Sequence, residues 1–501
     1  MAPHCISSRD FLKQFSFPIE PARDFELDGI PASYAAGHPR EWGRETDVLD
    51  FTRTKEKDER AYKSYSTAIS PDQKLLAITT SKGPILIYDV KSKELRQVLE
   101  GSGALVFRPI VKKGEQADTI AEDAGGEHEK PAYTAVSGIP EKASRRGSED
   151  DQLILWHLDQ HGRALDEEEP ILPAIFATTA IDAIAPELTA NHGWTREFVN
   201  ASTLHARFAE ALRQVAADHR RRNNTIIDNA TLSNFSSTAF SSDGRLLLYH
   251  FQNGSTQSGM REQDKLPQVV IYDIDARMEI HRLSGHTDAI MWSGISPDNQ
   301  YVASVSWDGT MRMYSSTTGK LGWATEDSGG QSWAGAFSSD SKHIVWSSKS
   351  GRVIQVHDVV DGRKISTFQE TFNDWCRCLQ WHPIKSQIAL CVGTHAYVWS
   401  PFEGQNGSTI QHFAMGDEKD WNSMAGVQAV SWLDEGRLLC LEISDGTKLV
   451  YDTQSNTKEL FRRPMGVNIA WVERGFYNLF QKEGESSLYI SIDGDGKVRY
   501  W

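Results

Sequence analysis

The chain has 501 residues, of which 39% are hydrophobic and 24% charged, and carries a formal net charge of -15 at pH 7. That excess of acid disfavours nucleic-acid phosphates as partners, and no apolar run reaches the length of a membrane-spanning helix. The start, MAPHCISSRDFLKQF, lacks the apolar stretch of a secretory leader, and the five cysteines (Cys5, Cys376, Cys378, Cys391 and Cys440) are not spaced as a staple framework. Together these features predict an intracellular protein, cytoplasmic or nuclear, with neither nucleic acid nor membrane as its partner.

Residues 1–45 read as an irregular N-terminal arm. Val48–Thr54 (VLDFTRT) then alternates apolar and polar residues, as a short strand does. From there a phrase recurs: an apolar strand, a polar turn often written S-P-D or S-S-D, a second apolar strand, another turn, and a third strand ending on an aromatic residue. The first turns stand at Ser70-Pro71-Asp72, Ser241-Ser242-Asp243, Ser296-Pro297-Asp298 and Ser338-Ser339-Asp340, with weaker copies after Phe107, Trp381, Trp432 and Trp471. Pro presets φ and Asp bonds the backbone just ahead of it, so the turn is encoded locally. Third strands close on Tyr88, Trp156, Tyr272, Tyr314, His357, Trp399, Tyr451 and Trp501. Both counts give eight units. From Ser242 the turns fall at Pro297, Ser339, Pro383, Asp434 and Glu473, in steps of 55, 42, 44, 51 and 39 residues, close to the roughly 40–45 residues of a four-stranded repeat.

Two insertions interrupt the period. Residues 111–150 are Gly-rich, charged and poor in large apolar side chains, which predicts one flexible loop splitting the second unit. Residues 166–233 differ: Val199, Leu204, Phe208, Leu212 and Val215 recur at helical spacing, which predicts an amphipathic helix with Thr195 as N-cap. Leu204, Phe208 and Leu212 are its candidate docking residues. The closing residues Asp493–Trp501 share their shape with Trp307–Tyr314, so the sequence stops on a third strand. The missing outer strand is expected from Val48–Thr54, which closes residues 46–501 into a ring. The fold class predicted is all-β: an eight-unit β-propeller, with seven blades as the alternative, bearing a helical insertion.

The unit running from Leu283-Ser284-Gly285-His286 through Asp308-Gly309-Thr310 to Tyr314 resembles the WD40 repeat family, with that family's G-H dipeptide, S-P-D turn and D-G-T turn. The resemblance implies a buried hydrogen-bond network of His286, Ser304 or Ser306, and Asp308, with Tyr314 in place of the family's Trp. It also implies a non-catalytic scaffold for other proteins within a multi-protein assembly. A translation-initiation or ribosome-associated propeller and an enzyme using the central channel are the alternatives.

No nucleophile elbow, phosphate-binding loop or H-E-x-x-H motif is present, so no catalytic, cofactor or metal site is expected. Cys376, Cys378 and Cys391 read as small core residues rather than thiolate ligands. Trp292, Trp333, Trp375 and Arg377 stand near the starts of units, where a propeller exposes its upper face, and are the candidate partner-binding residues. Arg145-Arg146-Gly147-Ser148 resembles a basophilic kinase site, which makes Ser148 a candidate phosphosite.

Overall fold

The computed structural model describes residues 24–35, 46–51, 64–80, 84–99, 101–110, 132–138, 152–165, 178–179, 181–182, 208, 211, 225–233, 238–251, 266–414, 426–443, 446–461, 471–473, 475–479, 488–493 and 496–501. Their strands form eight antiparallel blades. Blade 1 holds Ser64–Ile69, Leu75–Thr80, Ile85–Asp89 and Leu95–Leu99; blade 2 holds Ser102–Phe107, Tyr133–Gly138, Gln152–Leu158 and Thr225–Asp228. Blade 3 runs from Ala230–Thr231 to Met278–Leu283, blade 4 from Ile290–Ile295 to Leu321–Ala324, and blade 5 from Gly335–Phe337 to Lys364–Thr367. Blade 6 runs from Cys376–Trp381 to Ser408–Ala414 and blade 7 from Val427–Leu433 to Thr457–Phe461. Blade 8 joins Phe476–Leu479, Leu488–Asp493 and Lys497–Tyr500 to Asp47–Asp50.

Eight apolar clusters lie one in each seam, from blades 1/2 round to blades 8/1. Successive side chains of a strand point to opposite faces, and here both faces are covered by neighbouring blades. Inner strands are therefore buried almost throughout and mostly apolar, as in Leu246–Phe251 and Ile388–Val392. The eighth seam decides the blade number against seven.

The lower-rim turns are alike in four blades. The hydroxyls of Ser70, Ser241, Ser296 and Ser338 each donate to the Asp two residues on (2.5–2.7 Å) and accept the amide five residues on (2.8–2.9 Å). Gln73, Gly244, Asn299 and Ser341 take the positive φ that the turn requires. The Ser-x-Asp pair holds non-glycine residues there by satisfying the backbone around them.

The ring closes across blades 7, 8 and 1. Asp47–Asp50 pairs antiparallel with Lys497–Tyr500 (Val498 opposite Leu49) as the outer strand of blade 8. This strand begins one residue earlier and ends four residues earlier than Val48–Thr54, because Phe51 turns into the seam and packs edge-on against Tyr65 at 5.2 Å. Trp471–Glu473 pairs parallel with Ser64–Ser66 of blade 1 rather than starting blade 8. The first two strands of blade 8, Phe476–Leu479 and Leu488–Asp493, accordingly both follow Glu473 rather than flanking it. Farther back, Phe25 inserts between blades 6 and 7 at 1% exposure, its ring 4.3 Å from Tyr451 and 5.5 Å from Phe413. Ser33–Tyr34 then adds in parallel to the outer edge of blade 7.

Both insertions are smaller than expected. Tyr133–Gly138, inside the loop predicted over 111–150, is the second strand of blade 2 and is buried almost throughout. Its small and β-branched residues are outweighed in composition by the charged residues around them. Ser148 lies outside the described residues. Thr225–Asp228 and Ala230–Thr231, at the end of the predicted helical insertion 166–233, are strands of blades 2 and 3. Phe208 and Ala211 are helical and half-buried, and Thr178, Thr179, Ile181 and Asp182 are helical and exposed. Leu204 and Leu212 lie outside the described residues.

Candidate functional site

Antiparallel order sends the links between second and third strands, and those between successive blades, to one rim, opposite the Ser-x-Asp turns. On this upper rim three links bring tryptophans together. Trp307 leads the second-to-third link of blade 4, while Trp333 and Trp375 end the links into blades 5 and 6. The Trp307 and Trp333 rings meet edge-on at 5.2 Å, and the Trp333 and Trp375 rings lie 5.0 Å apart at 37°. All three are half-buried. The row requires Gly351, at φ +74°, because a Cβ there would stand 2.8 Å from Trp375 Cβ and 3.2 Å from Trp333 Cδ1.

Of the four residues singled out from sequence, Trp333 and Trp375 lie in this row and Trp292 does not. Trp292 is 4% exposed, belongs to the core between blades 4 and 5, and has its ring 6.2 Å from Phe337. Gly335 leaves the space its indole fills. A tryptophan within an inner strand faces a neighbouring blade, whereas one in the link before a strand stays at the rim. Arg377 lies in the strand Cys376–Trp381, and its side chain is not among those described. Trp307 was missed because it stands in a D-G-T turn, a motif read for its turn alone. Its place in a second-to-third link was the available signal.

Beneath the row, His286 bridges two partners: Nδ1 lies 2.8 Å from Asp308 Oδ2 and Nε2 lies 2.7 Å from Ser304 Oγ. Asp308 also accepts from Thr287 N–H (3.0 Å), Thr310 N–H (2.9 Å) and Thr310 Oγ1 (2.7 Å). Burial alone would raise the Asp308 carboxyl, but the bond and charge of His286, with the threonine donors, hold it well below the usual carboxylate range. Ser306 is the turn's own brace, accepting Asp308 N–H at 3.1 Å and donating to Asp288 O at 2.8 Å. Tyr314 donates to Ser284 O at 2.9 Å, and burial pushes its phenol up to about 12. Ser304, His286 and Asp308 are joined in the order of a hydrolase triad. Yet Ser304 is 0% and His286 1% exposed, so an acyl substrate has no path to the hydroxyl, and the linkage pins the upper end of blade 4.

Cys376, Cys391 and Cys440 are buried and Cys378 is half-buried; the Cys376 thiol donates to Cys378 O at 3.4 Å and the Cys378 thiol to Val430 O at 3.5 Å. Among the described residues no group of His, Cys, Asp and Glu is gathered as a metal site. Likewise, no helix among them is long and apolar enough to cross a membrane.

No protein-family model matches the chain, and no curated protein matches it. Solved structures do resemble it. Saccharomyces cerevisiae Sqt1 has a TM-score of 0.56 at 9% identity, with 92% of this chain and 99% of that one covered. Chaetomium thermophilum Sqt1, bound to the N-terminus of the ribosomal protein L10, has a TM-score of 0.50 at 12% identity, covering 88% of this chain and 96% of that one. At such identities the likeness is one of fold: this chain is an eight-bladed β-propeller.

Proposed function

We propose that the protein is a non-catalytic, intracellular scaffold of the WD40-repeat type that docks other proteins on its upper rim. The row Trp307–Trp333–Trp375 carries this reading. Large aromatic side chains dominate interface energetics when a partner desolvates them, and a ring scaffold holds these three fixed. The fit of His286, Ser304 and Asp308 to the family's network supports the repeat type. Burial of the only triad-like linkage met among the described residues supports a role without catalysis. The test compares the partners captured by the full chain and by a Trp333→Ala/Trp375→Ala variant whose fold is checked by circular dichroism. Loss of the captured set is expected. An unchanged set would remove the upper rim as the docking face.

A second reading, a ribosome-associated propeller, draws on the likeness to the Chaetomium propeller bound to a ribosomal protein. It predicts co-sedimentation with ribosomal particles through a protein component, since the net charge of -15 opposes direct contact with RNA.

A further inference from the structure

If the upper rim is the docking face, its surroundings restrict the chemistry of what docks. In the links that carry or flank the row (284–289, 307–310, 325–334, 349–352 and 368–375), the acids outside the His286–Asp308 pair are Asp288, Glu326, Asp327, Glu370 and Asp374, against Lys349 and Arg352. Four of those acids are exposed and Asp374 is half-buried. Neutral donors leave their negative charge in place: Asp288 accepts Ala289 N–H at 2.7 Å, Asp327 accepts Gly329 N–H at 2.8 Å, and Glu370 accepts the Tyr397 hydroxyl at 3.2 Å. A band of indole surface roughly 10 Å long is thus set in carboxylates.

We propose that this band receives an extended, arginine-bearing segment of a partner protein. A guanidinium stacks flat on an indole face while its edge donates to carboxylates, a combination that lysine's compact ammonium does not reproduce. In an extended segment, side chains two residues apart lie about 7 Å from each other on one face, so two arginines reach the row together. Single-stranded nucleic acid also stacks on aromatic rows, but its phosphates would meet the acids here.

The test is calorimetric titration of the full chain with a twelve-residue peptide alternating Arg and Gly, its Lys and Glu counterparts, and oligothymidylate. The arginine peptide should bind, the lysine peptide about fivefold or more weaker, and the other two not at all. Trp333→Ala should weaken arginine-peptide binding about tenfold or more. Glu326→Lys, which removes no packed side chain, should weaken it severalfold at an unchanged melting temperature. Equal binding of the Arg and Lys peptides, or parental affinity in both variants, would assign the attraction to the bulk charge of -15 and overturn the proposal. Binding of oligothymidylate that is lost in Trp333→Ala would overturn it in favour of a nucleic acid. Either failure leaves the docking-face reading intact, because that reading falls only if partner capture is indifferent to Trp333 and Trp375.

Discussion

Blades 4 to 6 and the junction of blade 8 with blade 1 share one strand order and are assembled by opposite means. Each blade of the first arc is a continuous stretch of chain, with strands joined by short links and pinned by local bonds such as those of Ser296 and Ser338. At the junction, strands paired in one sheet come from residues 47–50 and 497–500, and the inner strand of blade 1 is shared with residues 471–473. Local pairing needs little loop closure, whereas the junction must bring distant segments together before any contact repays the entropy lost. The tryptophan row sits on the locally built arc, and the long-range contacts serve to hold the ring shut.

Removing the junction should therefore have the largest effect. Deleting residues 1–60 takes away the outer strand of blade 8 together with Phe25 and Phe51, exposing a sheet edge and opening the seams of blades 8/1 and 6/7. The expected outcome is loss of a cooperative thermal transition by circular dichroism. If the truncated chain melts as the full chain does, closure is not what holds the ring, and the contrast with blades 4 to 6 disappears.

A narrower change separates the arm from the closing strand. Phe25→Ala empties the space between Tyr451 and Phe413, for which a buried Phe typically accounts for about 3–5 kcal/mol. Because the arm can detach without unfolding a blade, hydrogen exchange should rise along 24–35 and Thr457–Phe461 while blades 4 to 6 keep their protection. Equal acceleration in both regions would mean that the arm braces the whole ring.

Acid probes the edge of the arc from the other side. His250 in blade 3 is buried, with Nε2 2.9 Å from Ser293 Oγ of blade 4. Burial first, and the charge of His286 second, lower its pKa from 6.5 to about 4. The folded value lies below the unfolded one, so its contribution is complete above pH 6.5. It falls as the pH drops toward 4, where the unfolded chain takes up a proton that the folded chain refuses. The loss across that window amounts to roughly 3 kcal/mol at most. Urea midpoints at pH 7.5 and 4.5 should separate in the parent and separate less in His250→Asn, and equal slopes would exclude this histidine as the source.

What could be read from sequence divides along the same line. Third strands were legible almost to the residue because two local facts coincide there: both faces are buried, so the strand is apolar, and an aromatic residue ends it. The Ser-x-Asp turns were legible because their bonds span five residues. Phe25 carried no such mark; its partners Phe413 and Tyr451 lie hundreds of residues away, and nothing around it in the arm is periodic. Tyr133–Gly138 was hidden by its charged flanks, since composition averages over a window wider than six residues. Trp333 and Trp375 stand on the upper rim where they were expected and Trp292 stands in the core for one reason: residue type reports burial energy but not direction. Direction depends on whether the residue stands in a strand or in the link before it.

The smallest expected effect tests how the arc supports its own rim. Asp308→Ala removes the acceptor for His286 Nδ1, for the backbone N–H groups of Thr287 and Thr310, and for the Thr310 hydroxyl, which predicts a loss of about 1–3 kcal/mol. His286→Ala breaks the same linkage from its centre, leaves Ser304 Oγ buried without its imidazole partner, and should cost a similar amount. Once either member is gone, the other has lost most of what it contributed. The double variant should therefore lose less than the sum of the two single losses, by at least about 0.5 kcal/mol. Denaturant unfolding of the four proteins closes the cycle. Strict additivity would mean that His286 and Asp308 act independently, so that the 2.8 Å contact between them adds nothing and blade 4's upper end is held by its turn alone. Coupling, in contrast, would show that a polar linkage one link below Trp307 holds the rim by short-range means, where the junction of blades 8 and 1 depends on the reach of the chain.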